Sequence, residues 1–275
     1  MAASPSVISV DYRGRVAVIT INNPQKLNAL NQQQYYDLSQ ALREVATHDE
    51  VFITVLIGKG RYFSAGADVT TLTSSSPDTT DTRQLWLRSF VAYNLNITQA
   101  FYSHPKILVA ALNGPAIGLS AALIAHADFV YARGPSTFLL TPFSSLGLVA
   151  EGGASRALVQ RLGVAKANEA LIMSKRISLG ELVQTGFVNK VFEGREVEGD
   201  EGFERAVLGE VEERLGEHLV GESLLGIKEL IRGPEREVME GQGVKEVLAG
   251  LERFVSGVPQ EEFLKVRDGK KRHKL

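Results

Sequence analysis

Phe63-Ser64-Ala65-Gly66-Ala67-Asp68-Val69 follows the apolar run Val51–Ile57. The run has the length of a buried strand, and the small residues after it make a turn whose backbone a ligand can approach closely. A helix starting there would leave its first N–H groups without helical acceptors. A second turn of the same kind, Asn113-Gly-Pro-Ala-Ile-Gly-Leu119, follows the apolar run Ile107–Leu112. Two strand-to-helix turns, each offering a free N–H, can hold one developing oxyanion between them. Two structural glycine turns in an α/β fold are the plainer reading of the same spacing.

Outward from these turns, Val7–Tyr12 and Arg15–Asn22 alternate apolar and polar residues around Arg13-Gly14, the pattern of a β-hairpin. Tyr35, Leu38, Leu42 and Val45 recur at helical spacing within Gln32–Thr47. Thr71–Thr82, rich in Ser, Thr, Asp and Pro, reads as a loop over the site, including the stretch Ser74–Asp81. A long helix is expected at Thr82–Ser103 and a buried one at Leu119–Ala127. Short strands are expected at Asp128–Ala132, Thr137–Leu140 and Phe187–Phe192, and helices after Glu151-Gly-Gly and at Val164–Met173 and Ser178–Gln184. Recurrent strand–strand–helix units predict a repetitive α/β core over residues 1–200. The acidic, glycine-rich Gly194–Gly202 reads as a loop or boundary. Beyond it, residues 201–275 form a helical region (Phe203–Leu219, Ser223–Arg232, Glu235–Val255, Gln260–Val266) ending in the basic tail Lys270–Leu275.

Of the 275 residues, 44% are hydrophobic and 23% charged, ordinary for a globular chain, and the net charge of −2 creates no field that favours nucleic acid or an anionic membrane. There is no cysteine, so disulfides, thiolate metal sites and cysteine nucleophiles are excluded. The five histidines are scattered without an H-x-x-x-H pair, so no zinc site is expected. No apolar run reaches membrane-spanning length.

Asn28-Ala29-Leu30, Phe63–Val69, Asn113–Leu119 and Leu146-Gly-Leu-Val-Ala-Glu-Gly-Gly153 together resemble the motifs of the crotonase (enoyl-CoA hydratase/isomerase) superfamily, in the right order and across residues 7 to 265. The resemblance implies a spiral of ββα units with a C-terminal helical region that mediates trimer formation, and acyl-CoA thioester substrates. It implies an oxyanion hole made by the N–H groups of Ala67 and Leu119. Most members carry glycine where this chain has Leu119; the N–H is kept and the side chain shapes the acyl pocket. Ala65, Gly66, Gly118 and Phe143 fall on substrate-contacting positions of the same motifs.

Within the superfamily, hydratases use two glutamates, and this chain has Ala122 and Phe143 at those positions. Adding water across a double bond needs one group to activate water and another to protonate carbon, so hydration is disfavoured. Glu151 instead resembles the single catalytic glutamate of the fungal peroxisomal Δ3,Δ2-enoyl-CoA isomerases. One carboxylate is enough to take a proton from C2 and return it at C4. Apolar Leu148, Val149 and Phe143 would raise its pKa, whereas a helix start at Gly152-Gly153 would favour its anion, and the sequence leaves that balance open. Read by position alone, Glu151 is a helix N-terminal acid.

Asn94 falls where this subgroup has a site asparagine; it either hydrogen-bonds Glu151 or a water, or is an exposed helix residue. Lys26, before Asn28, lies in the loop that the family folds around the CoA phosphates, and a solvated lysine is the alternative. Asp68 reads first as a helix cap, and His126 as a packed core residue. His273-Lys274-Leu275 resembles a C-terminal peroxisomal signal, which implies an import receptor as partner and a peroxisomal matrix location; a solvated basic tail is the other reading. The expectation is a Δ3,Δ2-enoyl-CoA isomerase of fatty acid β-oxidation, a homotrimer or dimer of trimers, needing no cofactor because coenzyme A is part of the substrate. The alternatives are a hydratase of a secondary-metabolite acyl-CoA with Glu151 in another role, and a catalytically silent CoA-binding or scaffold member.

Overall fold

In the computed structural model, residues 6–68 and 81–272 are described. The loop expected over 71–82 therefore lies, except for its last two residues, outside them. β1 (Ile8–Arg13) and β2 (Val16–Ile21) form the expected hairpin, with Ile8 opposite Ile21 and Arg13 opposite Val16. α1 (Gln32–Ala46) begins at Asn31, which caps the Gln34 N–H while the Gln34 side chain caps the Asn31 N–H. β3 (Ile53–Gly58) is followed by the first small-residue turn. α2 (Thr82–Trp86) passes through a π-helical turn, Leu87–Val91, into α3 (Ala92–Tyr102). β4 (Ile107–Leu112) and β5 (Ala116–Ile117) flank the second turn, and α4 (Leu119–Leu123) leaves it. β6 (Phe129–Arg133) and β7 (Phe138–Leu140) precede α5 (Ala154–Leu171), which Gly163 breaks at φ 73°, ψ 158°. Then come β8 (Ile177–Ser178), α6 (Leu179–Gln184), β9 (Lys190–Phe192), α7 (Gly199–Leu215), α8 (Gly221–Val255) and α9 (Val258–Arg267).

The main sheet runs β1-β2-β3-β4-β6-β9 and is parallel from β2 onward. β3 and β4 are buried at every position because both faces are covered. Leu56, Leu108, Ala110 and Leu112 pack with α1, α3, α4 and α5 on one face. Ile53, Val55, Ile57 and Val109 pack against Phe203, Val207 and Val211 of α7 on the other. A second layer, smaller and stepped, is built from β5-β7-β8 and the bridges Ser64↔Ala116 and Leu30↔Ala67. Each turn of the chain thus lays a long strand in one layer and a short one in the other before a helix returns, which is the expected ββα spiral.

Three elements differ from the sequence reading. Leu119–Ala127 is not one helix: α4 gives way to a 3-10 turn at Ile124–His126. Gly194–Gly202 is only partly a loop, since α7 starts at Gly199; Asp200 and Glu204 of its first turns accept from Gly60 N–H and pair with Lys59, tying α7 to the end of β3. Residues 200 and 201 therefore sit in one helix that covers the main sheet. Finally, α8 runs unbroken through Gly233-Pro234. Pro234 has no N–H to donate to the carbonyl of Leu230, a residue that is 79% exposed. Among the described residues no helix is long and apolar enough to cross a membrane.

The two small-residue turns touch backbone to backbone. Gly66 has φ +87°, and a Cβ there would lie 2.7 Å from the Ile117 carbonyl oxygen. Gly66→Ala is expected to lower stability by about 2–3 kcal/mol in denaturant unfolding, from strain plus collision. Gly14→Ala, at φ +61° with nothing within 4 Å, carries the strain alone and is expected to lose only about 1 kcal/mol. Equal losses would show that the close approach of the loops contributes nothing.

Candidate active site

The first turn is pinned almost completely. Phe63 and Ser64 N–H donate to the Pro115 carbonyl, Ala65 N–H to Leu27, Gly66 N–H to Ser64 Oγ and Asp68 N–H to Leu30. Ala67 N–H alone in this run has no acceptor among the described residues. In the second turn Ile117 N–H donates to Ser64 O and Gly118 N–H to Leu140 O. Gly118, at φ 60°, ψ −132°, then turns the chain so that Leu119 opens α4, and its N–H is one of the donors a helix start leaves free. Two buried asparagines support the arrangement from behind. Asn113 accepts from Gly58 N–H and donates to Gly60 and Tyr62 carbonyls, and Asn28 accepts from Asn23 N–H and donates to Lys59 and Tyr62 carbonyls.

Two cavities, of about 650 and 700 Å³ including their open mouths, meet at Ala67, Leu119, Leu148, Glu151 and Phe263, which line both. The first extends past Tyr35, Tyr93 and Asn94 between α1 and α3, and its walls include Asp68. The second extends past Ala65, Gly118 and Phe143 toward Val266.

Glu151 lies on the loop before α5. Gly152, at φ +70°, leaves no room for a side chain: a Cβ would meet Leu119 Cδ1 at 2.7 Å and Ala122 Cβ at 3.0 Å. The loop therefore lies directly on α4, with Ala122 and Phe143, where hydratases carry acids, both buried. Asn94 Nδ2 donates to Glu151 Oε2 at 2.8 Å, and Asn94 is buried, which decides between its two readings. The balance left open for Glu151 also resolves. Burial, then the charge of Glu246, push its carboxyl up to about 8 against the Asn94 hydrogen bond. Glu151 is not the acid of the helix start: α5 begins at Ala154, and Glu246 of α8 receives the Gly153 and Ser155 N–H groups.

The other expected residues are distributed unevenly. Lys26 is exposed and pairs with Asp68 at 2.9 Å, so Asp68 faces the first cavity as part of an ion pair. The helix that it was expected to cap would lie outside the described residues. Asn28 is fully buried, bonded to the chain, and lines neither cavity; its place is behind the turn. Gly66 also stays behind, as the point where the loops touch. His126 is buried, and its Nε2 donates to Gly152 O at 2.8 Å; burial lowers its pKa to about 4, so the ring is neutral and carries its proton on Nε2.

Sequence reasoning missed Glu246, Phe263 and the site-facing role of Tyr35. Tyr35 has the helical spacing of a core residue and is buried, yet its hydroxyl bonds Ser120 Oγ, which donates to Ser64 Oγ in the first turn. Glu246 and Phe263 come from helices far along the chain, and no local pattern marks them. Among the described residues no group of three His, Asp or Glu is gathered in a way that would hold a metal ion.

A family model described as Enoyl-CoA hydratase/isomerase matches residues 11–206. The chain is 66% identical to a Pyricularia oryzae protein named Delta(3,5)-Delta(2,4)-dienoyl-CoA isomerase, over 98% of this chain and 99% of that one. It is 34% identical to the Saccharomyces cerevisiae 3,2-trans-enoyl-CoA isomerase, over 98% and 96% of the two chains. Its structure matches that of an enoyl-CoA hydratase/isomerase from Pseudoalteromonas atlantica with a TM-score of 0.81 at 27% identity, covering 98% of this chain and all of the other. With its ββα spiral and its pinned pair of turns, the chain belongs to the enoyl-CoA hydratase/isomerase family.

Proposed function

We propose that the protein is a Δ3,Δ2-enoyl-CoA isomerase of fatty acid β-oxidation. The observation that carries this is Glu151: one carboxylate, held by Asn94, at the junction of two cavities that Ala67 and Leu119 also line. The thioester oxygen sits between the two N–H groups. Glu151 takes a proton from C2, the electrons spread over the dienolate onto that oxygen, and the same carboxyl returns the proton at C4. A carboxyl titrating at about 8 suits both halves, because it is a strong enough base near neutrality and a ready acid once protonated. Ala122 and Phe143, both buried, leave no second acid on the motifs where a hydratase has it. No cofactor enters the scheme. The relative from Saccharomyces cerevisiae supports the assignment by name.

A second reading, isomerisation of 3,5-dienoyl-CoA to 2,4-dienoyl-CoA, is favoured by the name of the Pyricularia oryzae relative. It moves a proton from C2 to C6, so one carboxylate would have to reach farther or pass the proton to a second group. The other acid lining the first cavity, Asp68, is paired with Lys26.

The same proposal includes a homotrimer and a peroxisomal address. For the first, Ile227, Leu230 and Ile231 stand exposed on α8. For the second, a Mus musculus relative is named Enoyl-CoA delta isomerase 3, peroxisomal. The terminal residues 273–275 lie outside the described ones.

A panel of 3-enoyl-CoA and 3,5-dienoyl-CoA thioesters tests the assignment. Conversion of 3-enoyl-CoA to trans-2-enoyl-CoA is expected to dominate; preference for the dienes would replace it with the second reading, and efficient hydration would overturn both. Glu151→Gln is expected to lose about 10³-fold in kcat with acyl-CoA still bound. It should also stabilise the fold. Glu151 ionises near 4.5 when unfolded and about 8 when folded, so its burial penalty grows as pH rises from 4.5 and is complete above 8. At pH 7 the gain should be on the order of 2–3 kcal/mol, seen as a higher Tm that converges with wild type near pH 4. Leu230→Glu with Ile231→Glu should turn a trimer into monomers in light scattering; unchanged mass would remove α8 from the interface.

A further inference from the structure

Besides Asp68, which is paired with Lys26, Glu246 is an acid buried beside the reaction centre that the mechanism does not use. It is 5% exposed and lines neither cavity. Both its oxygens are engaged on the loop that carries Glu151: Oε2 accepts from Gly153 N–H at 2.7 Å, and Oε1 accepts from Ser155 N–H at 2.8 Å and from Ser155 Oγ. Gln242, one turn earlier on α8, donates to the same Ser155 Oγ at 2.8 Å. α5 has no cap of its own, since its N-cap is Gly153 at φ 74°, so a carboxylate from α8 supplies the acceptors its first turn lacks. On the opposite side His126 holds the Gly152 carbonyl. Gly152 and Gly153, both left-handed, are thereby gripped from α8 and from the turn after α4.

We propose that Glu246 is a positioning residue for the isomerase reaction: from α8 it clamps the Gly152–Gly153 turn and so sets where the Glu151 carboxylate stands relative to the Ala67 and Leu119 N–H groups. The inference deepens the single-glutamate reading and rests on it. Its consequence is that α8, which touches no substrate through this residue, is wired to the reacting atoms. The clamp also brings a negative charge toward Glu151. The other groups around Glu151 do not cancel it. α3 presents the neutral amide of Asn94, α1 the hydroxyl of Tyr35, the first turn Asp68 already paired with Lys26, the turn after α4 the neutral His126, and α9 the apolar Phe263. Glu246 therefore makes Glu151 a stronger base, and burial alone keeps the remainder of that effect.

The test is kcat and KM against pH for the full chain on 3-enoyl-CoA. In the wild type, activity rises as Glu151 loses its proton. Glu246→Gln keeps the size of the side chain and removes the charge. It is expected to move that rising limb about one pH unit lower and to reduce the plateau kcat about tenfold, with KM unchanged. Ser155→Ala keeps the charge and removes one bond, and should lower kcat about threefold without moving the limb. A Glu246→Gln enzyme that melts earlier but keeps the wild-type limb and kcat would overturn the proposal, leaving Glu246 a structural cap. If Glu246→Gln does not fold, Ser155→Ala decides: an unchanged kcat overturns the proposal. An inactive wild type would defeat the isomerase reading itself, whereas an active wild type with an unmoved Glu246→Gln profile defeats only the clamp.

Discussion

Everything in this molecule depends on two backbone turns being pressed together with no side chain between them. Gly66 stands against the Ile117 carbonyl, and the Ser64–Pro115 and Ile117–Ser64 hydrogen bonds close the contact from either side. The neighbouring N–H groups are all engaged, whereas the one at Ala67, a residue that lines both cavities, has no acceptor among the described residues. An N–H held in place by five bonded neighbours is a fixed donor, which is what the proposed oxyanion hole would use. The rest of the fold serves that contact. The main sheet sets the spacing of successive turns of the spiral, the short second layer brings the turns side by side, and Asn28 and Asn113 lock the segment that leads from β3 into the first turn.

The second constraint is electrostatic. A carboxylate placed among Leu148, Leu119 and Phe263 is a strained choice for stability and a useful one for chemistry. Burial pushes its pKa up to about 8, which suits the base that the proposed isomerisation calls for. Asn94 limits the penalty with one hydrogen bond to Glu151 Oε2. In the proposed isomerisation the backbone donors would answer the same need from the substrate side, since the negative charge leaving the carboxylate would appear on the thioester oxygen.

Much of this was legible in the linear chain. The hairpin around Gly14, the period of Tyr35, Leu38, Leu42 and Val45, and the buried strands β3 and β4 follow from patterns of two, of three to four, and of unbroken apolar residues. The four short motifs named the family and placed Ala67, Leu119 and Glu151 at one centre, because backbone turns and loop acids are encoded locally. Tertiary contact decided other features. The motif asparagine Asn28 sits behind the turn, bonded to the Lys59 and Tyr62 carbonyls, and lines neither cavity, a placement that depends on which carbonyls surround its amide. Gly233-Pro234 reads as a break, yet α8 continues through it, with Lys228 buried before it and Met239 after it. Gly194–Gly202 reads as a boundary, yet Asp200 and Glu204 fasten it to β3.

By itself the sequence determined the order of elements, the two turns, and the presence of one acid where hydratases carry two others. These are properties of neighbours along the chain: glycine's freedom at positive φ, apolar periodicity, and residue identity at a motif position. Only the tertiary structure decided what state that acid is in and what holds it. Glu151's environment is assembled from α3, α4, α8 and α9, segments as much as a hundred residues away. Desolvation and charge coupling fall off with distance in space and have no relation to distance in sequence, so neither the pKa of Glu151 nor the hand of Glu246 behind it was written in any local stretch.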